Sequence, residues 1–353
     1  MTERDNPFSK YAELLAQLPA PLIYWYHQNA RKFPWRECVT PYTVWISEVM
    51  LQQTRAETVV EYFNRFMKTY ASPTALAKAE DDRLFKLWEG LGYYSRARNL
   101  KRASLEMVEK YGGTLPDDYQ KLRKLPGIGP YTAGAIASIA FQQPEPAVDG
   151  NVMRVITRIT GDRSDVSSPH VRNMAAAALR PLYPRGDCAS YTQSLMELGA
   201  TVCIPNGRPH CEACPVAFLC RASALDLTGE LPVKSKRQTR TCVEKTVLLL
   251  RYKNLYAVRQ RPKQGLLGGL WEFPTFEEVL TWEEVMEKMR ALSPVTVTDI
   301  GRSKHVFTHL EWHMQGYLVE CTTRNTDFVW AARETLLSDF AIPSAFGFYR
   351  KQL

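Results

Sequence analysis

The rhythm of apolar and polar positions changes once along the chain. From about Pro41 to Cys203 apolar residues recur at helical spacing, as in the stripe Val59, Val60, Phe63, Phe66, Met67 and Tyr70. Thr40 can cap a helix that opens with Pro41, a residue suited to a first turn, and that runs to about Gln53. Asp81 or Asp82 can cap a segment at 84–88 that Gly90 and Gly92 end. A longer helix then runs to Tyr111 and stops at Gly112 and Gly113. Shorter helices are expected at 119–124, 131–141, 152–159, 171–182 and 191–202. After Asp226 the pattern fades into a stretch with Gly229, Pro232 and the basic residues Lys234, Lys236, Arg237 and Arg240, which reads as a linker. Strand-like runs follow at 246–250, 255–260, 295–300 and 306–313, with helical patterns at 282–292 and 332–337. The expected architecture is an all-α N-terminal region, 1–226, a linker, 227–240, and an α+β domain, 241–353.

A length of 353 residues suits two domains, and 45% hydrophobic residues allow each a core. The formal net charge of +8 favours a polyanionic partner without distinguishing nucleic acid from small anions. No run approaches the roughly eighteen apolar residues of a membrane span. The opening Met1–Lys10 stretch is polar and lacks the apolar core of a signal peptide. A cytoplasmic location with no membrane partner is therefore expected.

Candidate chemistry gathers at three places. The first is the run from Leu125 through Gly127, Ile128 and Gly129 to Ala133, between two short helices. Two glycines two residues apart allow a sharp turn with exposed N–H groups, and the following helix adds its N-terminus, a combination that holds a phosphate without reading sequence. An ordinary helix-to-helix turn is the plainer alternative. The second is a pair of acids. Glu48 lies on the first helix with Trp45, Leu51 and Gln52 one turn away, and burial there would raise its carboxyl from about 4.3 toward neutrality. A solvated glutamate is the alternative. Asp149 precedes the helix at 152–159, where capping would supply donors that hold it ionised. Two acids in contrasting environments can divide proton donation and charge stabilisation in breaking a glycosidic bond.

The third place is Cys203-x7-Cys211-x2-Cys214-x5-Cys220, four of the eight cysteines within a short loop. Such density suits a metal centre, either tetrahedral zinc or a cubane iron–sulfur cluster. Zinc sites typically pair two Cys-x2-Cys units, and only one is present. Arg96, Arg98, Lys101 and Arg102 follow one another on a helix and read as a solvated face from which some could meet phosphate.

Taken together, Pro34-Trp35, Ser47-Glu48-Val49-Met50-Leu51-Gln52-Gln53-Thr54, Gly90-Leu91-Gly92-Tyr93-Tyr94-Ser95-Arg96-Ala97-Arg98-Asn99-Leu100, the glycine hairpin and Val148-Asp149-Gly150-Asn151-Val152 resemble the MutY-type adenine DNA glycosylases of the helix-hairpin-helix, endonuclease III superfamily. The resemblance covers essentially the whole chain. It implies a helix-hairpin-helix six-helix module at about 30–145, an iron–sulfur module from 1–29 with 146–226, and a Nudix-like domain at 241–353 that recognises 8-oxoguanine. The implied activity is a base-excision N-glycosylase that flips adenine from pairs with 8-oxoguanine or guanine in double-stranded DNA and leaves an abasic site. Glu48 would protonate adenine N7, and Asp149 would stabilise or transiently bond the sugar C1′ with Tyr131 beside it. Trp35, Arg36, Leu51 and Gln193 would surround the flipped adenine, while Gln53 and Tyr93 would enter the duplex near 8-oxoguanine. Leu125, Gly127, Ile128 and Gly129 would hold the phosphate.

The same resemblance implies one 4Fe-4S cluster on Cys203, Cys211, Cys214 and Cys220, although the first gap is one residue longer than the family usually shows. Phe307, Thr308 and His309 stand where the family commonly has Phe-Ser-His, a loop that probes the oxidised purine. In the endonuclease III branch a lysine placed like Tyr131 forms an imine and cuts the strand; a phenol cannot, so excision without lyase activity is expected. A bifunctional lyase, a non-catalytic damage sensor that has kept the scaffold, and a nucleotide hydrolase are the rivals. The last is disfavoured because the Arg-Glu-x-x-Glu-Glu signature for magnesium is missing after Gly265–Pro274.

Overall fold

The computed structural model describes residues 6–235 and 239–353, so Lys236 and Arg237 of the basic run, and the first five residues, lie outside the described residues. The chain divides into two compact units, Met1–Lys78 with Asn99–Lys236, and Ala79–Arg98 with Arg237–Leu353. No helix among the described residues is long and apolar enough to cross a membrane.

The first unit is helical. Helix Pro41–Leu51 starts where capping demands: Thr40 and Thr43 exchange side-chain and backbone hydrogen bonds at 2.8 and 3.1 Å, and Pro41 fills the first position. Tyr42 through Met50 are all buried, so this helix belongs to the interior of the unit. Helix Ala56–Thr69 buries only Val59, Phe63 and Phe66 and leaves its other face to solvent. Helix Pro130–Ala135 continues into a widened π turn, Ile136–Ala140. Helix Gly150–Thr160 begins at Asp149 and ends on left-handed Gly161, φ 68°.

Helix Pro19–Asn29, which has no counterpart among the expected elements, follows the short helical turns Ser9–Tyr11 and Ala12–Leu15 near the start of the unit. Leu15, Leu18 and Leu22 join Phe8 in a core with Val152, Ile156, Ile159, Leu179, Tyr191, Leu195 and Leu198. The N-terminal segment is thus built into the same core as Gly150–Thr160 and Cys188–Thr201.

The second unit is α+β. Its strands are β1 Thr241–Tyr252, β2 Leu255–Gln260, β3 Trp271–Glu272, β4 Thr275–Phe276, β5 Pro294–Val306, β6 Leu310–Cys321 and β7 Val329–Ala332. The mixed sheet runs β3-β2-β1-β6-β5, with β4 on β1 and β7 on β2; β1 and β6 are parallel, β5 and β6 an antiparallel hairpin. Alternate residues of β1 feed two cores: Val247 and Leu249 pack with Trp312, Phe346 and Tyr349, and Leu248 and Leu250 with Val285, Leu292 and Val319. Both faces are covered, hence the unbroken apolar run in β1. The expected strand at 306–313 is interrupted: Val306 ends β5, 310–313 begin β6, and 307–309 form the hairpin turn, closed by Phe307 N–H to Leu310 O at 2.8 Å. Within this unit helix Asp81–Trp88 is preceded by Glu80; Asp81 and Asp82 lie in its first turn, so neither is the expected cap. Arg96 is buried and donates to the Leu91 and Gly92 carbonyls at 2.9 and 3.1 Å, while Arg98 donates to Gly268 O. These two guanidiniums brace backbone and are not a solvated face.

A Cβ at Gly134 would lie 2.3 Å from the Pro146 carbonyl oxygen, whereas one at Gly150 meets nothing within 4 Å. Gly134→Ala should therefore lose about 2 kcal/mol or more in urea unfolding, with Gly150→Ala within about 0.5 kcal/mol of wild type. Equal stabilities for the two variants would contradict the close approach.

Candidate active site

Helix Pro41–Leu51 carries Glu48 and helix Pro130–Ala135 carries Tyr131, while the loop before Gly150–Thr160 carries Asp149. All three line one cavity of about 920 Å³ in the first unit. Glu48 is buried at 6% exposure, and the Tyr131 hydroxyl donates to its Oε2. Burial pushes the Glu48 carboxyl up to about 7; the Tyr131 hydrogen bond and Arg36 pull it down, and the charge of Asp149 pushes it further up. Burial, with both carboxylates nearby, holds the Tyr131 phenol well above its ordinary value, so it remains a donor.

Asp149 accepts from Val152 N at 2.8 Å, the expected cap, and from Asn151 Nδ2 at 3.0 Å. The cap does not by itself decide its charge. Burial raises the Asp149 carboxyl more than the Val152 and Asn151 donors and the Arg154 guanidinium lower it. Asn151 turns its other end to Arg154, whose Nη2 donates to Asn151 Oδ1 at 2.8 Å and to Gly199 O at 2.7 Å, while its Nε reaches Cys203 O at 2.7 Å. A continuous hydrogen-bonded path thus joins Asp149 to the backbone at the first cysteine. In the sequence Asn151 stands only within the string 148–152, and Arg154 carries no local signal of this role.

Trp35, Arg36, Leu51, Gln193 and Gln53 line the same cavity. Trp35 is stacked on Phe33 at 4.8 Å between centroids and set edge-on to Phe63, so it is a fixed wall. Arg36 is held by Glu197 at 2.8 Å and by the Arg31 carbonyl at 2.8 Å. Glu197, which the sequence reading missed, is 1% exposed; burial opposes its charge, but hydrogen bonds from Arg31 and Arg36 win and hold the carboxyl below its ordinary value. Gln53, just past the helix, is exposed and left-handed at φ 60°. Gly127 and Gly129 border the cavity, with Gly127 at φ 77°. Leu125 and Ile128 bury their side chains, leaving their backbone as what this hairpin can offer a phosphate.

Tyr93, Phe307, Thr308 and His309 belong to the second unit. Tyr93 is exposed and left-handed at φ 47°, with its hydroxyl 3.3 Å from Thr308 Oγ1. Phe307 packs edge-on against Trp312 at 4.9 Å, so Thr308 and His309 form the exposed tip of the hairpin.

Cys203, Cys211, Cys214 and Cys220 are partly buried and line one small cavity with Val155, Ile159, Leu198, Val202 and Val216. Arg158 donates to Cys203 Sγ at 3.3 Å and to Ile204 O at 3.0 Å. Among the described residues, no three of these sulfurs fall within 4.8 Å of one another.

Burial raises both the Glu48 and the Asp149 carboxyls in the fold, so over the pH range between the unfolded and folded values the native chain keeps protons that the unfolded chain has released. Stability should then decline as pH rises from ordinary carboxyl values through about 7. Glu48→Gln keeps an oxygen for Tyr131 and removes the charge. It should exceed wild type by on the order of 2 kcal/mol in urea unfolding at about pH 8 and match it at about pH 4. No gain at the higher pH would contradict a raised Glu48.

Residues 46–181 match the family model for the HhH-GPD superfamily base excision DNA repair protein, and 246–349 that for the NUDIX domain. The adenine DNA glycosylase of Mus musculus is 35% identical over 375 residues, spanning 88% of this chain and 72% of that protein. That of Homo sapiens is 35% identical over 378 residues, spanning 88% and 68%. That of Buchnera aphidicola subsp. Acyrthosiphon pisum is 31% identical over 302 residues, spanning 84% and 85%. Among solved structures, a thermostable thymine-DNA glycosylase superposes with a TM-score of 0.55 and 27% identity, over 61% of this chain and 98% of that one. An endonuclease III trapped covalently on DNA shares the fold at a TM-score of 0.52 and 24% identity, over 64% and 99%. With an HhH-GPD helical region followed by a Nudix-like domain, the chain belongs to the adenine DNA glycosylase family.

Proposed function

We propose that this protein removes adenine paired with 8-oxoguanine, and less efficiently with guanine, by hydrolysing its N-glycosidic bond after flipping the nucleotide from double-stranded DNA. The observation that carries the reading is the single cavity shared by Glu48, Tyr131 and Asp149, whose volume of about 920 Å³ accommodates a nucleotide. Glu48 is the proton donor: with its carboxyl at about 7, much of it is protonated at neutral pH, and transfer to adenine N7 makes the base a better leaving group. Asp149, with Val152, Asn151 and Arg154 supporting negative charge, faces the sugar as C1′ gains positive charge. Tyr131 positions Glu48. Trp35, Arg36, Leu51 and Gln193 enclose the base, Gln53 fills the gap in the stack, and the Leu125–Gly129 backbone grips phosphate. No amine stands at position 131, so the strand stays whole.

The four cysteines suit a 4Fe-4S cluster. A tetrahedral zinc site brings its sulfurs to roughly 3.8 Å of one another, from Zn–S bonds of about 2.3 Å; among the described residues these cysteines offer no trio within 4.8 Å. When bound, the cluster would tie the loop together and supply redox sensing, with no part in excision. Purified protein should contain about four irons and four sulfides per chain; zinc in their place would contradict this assignment. The enzyme would act as a cytoplasmic monomer, at the nucleoid in a bacterium.

Incubation with a labelled duplex carrying adenine opposite 8-oxoguanine should give strand breaks only after alkali; breaks without alkali would point to a lyase. Excision should fall as pH rises through about 7, because the acid must be protonated. Glu48→Gln should lose about 10²–10⁴-fold in rate while retaining duplex binding. Tyr131→Phe removes a hydrogen bond that favours ionised Glu48, so its alkaline limb should move to higher pH; a limb moved the other way would refute the positioning role.

At the hairpin tip, Thr308 and His309 with Tyr93 would meet the oxidised purine. Thr308→Ala should slow excision opposite 8-oxoguanine several-fold more than opposite guanine. Equal losses on both duplexes would remove this role.

A further inference from the structure

A second cluster of metal-ligating side chains lies in the second unit, away from the four-cysteine loop. The parallel register sets Cys242 beside Glu311 and Glu244 beside His313. Residues two apart share a face, so all four stand on one side of the β1–β6 pair. Ligand atoms of Cys242, Glu311 and His313 lie within 4.8 Å of one another, with Cys242 exposed and the other two partly so. His313 Nε2 is 2.6 Å from Glu311 Oε1, and its Nδ1 is 3.7 Å from Glu244 Oε1.

We propose that Cys242, Glu311 and His313 form a binding site for a zinc-type divalent cation, with Glu244 as the carboxylate that orients the imidazole. One thiolate, one imidazole and one carboxylate are the donor types zinc takes, and the exposed fourth position is left to water. Sulfur and nitrogen donors disfavour calcium and magnesium, which take oxygen. A carboxylate on the far ring nitrogen is the usual outer partner of a metal-bound histidine. Lys304 lies 2.6 Å from Glu311 Oε1 and is the built-in competitor, which the ion must displace from that oxygen or meet on the other. The consequence is mechanical. Arg240 Nε donates to Phe307 O at 3.0 Å and Thr241 N to His309 O at 3.2 Å, so an ion joining β1 to β6 just beyond would stiffen the turn that carries Thr308 and His309.

The test uses the full chain with its iron content monitored and zinc chloride as the probe. Zinc should add one equivalent without loss of iron in equilibrium dialysis. It should slow iodoacetamide modification of Cys242 at least tenfold by peptide mass spectrometry, and leave the exposed Cys38 within about twofold of its zinc-free rate. In His313→Ala, and separately in Glu311→Gln, the protection of Cys242 should disappear. Modification of wild-type Cys242 at one rate with and without zinc overturns the proposal, as does protection that survives His313→Ala.

Discussion

A carboxyl group is taken out of water beside a second carboxyl, and a phenol hydrogen bond and a nearby guanidinium oppose its protonation. Around the Glu48–Tyr131 pair the first unit arranges what the chemistry requires. Helix Pro41–Leu51 buries Tyr42 through Met50, and Glu48 faces the cavity with 6% exposure. Helix Pro130–Ala135 brings Tyr131 to it, and Gly134 lets that helix press against Pro146, two residues upstream of Val148-Asp149. Desolvation raises the Glu48 carboxyl to about 7 and, by the same physics, makes the site a source of instability above that range.

Asp149 shows how the two carboxyls are told apart. Glu48 has a phenol for a partner. Asp149 has a backbone N–H, the Asn151 amide and the field of Arg154, and Arg154 in turn holds Gly199 and Cys203 carbonyls. Asp149 is thus braced through a buried guanidinium to the cysteine loop, while Glu48 accepts from the Tyr131 phenol. Glu197 makes the complementary point: a carboxylate as buried as Glu48 stays charged because two arginines clamp it.

Much of this is legible in the chain because it is local. Thr40 before Pro41, the glycines after Trp88 and Tyr111, and Asp149 before Gly150 carry their signals within a few residues. The non-local parts are not. Helix Pro19–Asn29 has prolines at both ends of its first turn and buries only Leu22 and Tyr26, so its pattern is faint. Glu197 gains its meaning from Arg31 and Arg36, more than 160 residues away, and Arg96 reads as a surface charge until its carbonyl partners are seen. The β5–β6 turn carries neither glycine nor proline at 307–309, and alternation continues through it, so it reads as strand. The direction of the Asp149 shift depends on burial, which capping logic leaves out.

The Nudix-like unit contributes a stiff sheet, covered on both faces, that sets a short tip of Thr308 and His309 next to Tyr93. Its parallel β1–β6 register also aligns Cys242, Glu244, Glu311 and His313, a juxtaposition invisible to either strand alone. The proposed chemistry rests on the protonation of one glutamate. Titrating the protein with ¹³C-labelled glutamate side chains by NMR, with Glu48→Gln to assign the signal, measures that directly. A carboxyl that titrates at about 7 and vanishes in the variant is expected; a Glu48 signal titrating in the ordinary range, at about 4.3, would contradict a desolvated acid at this position.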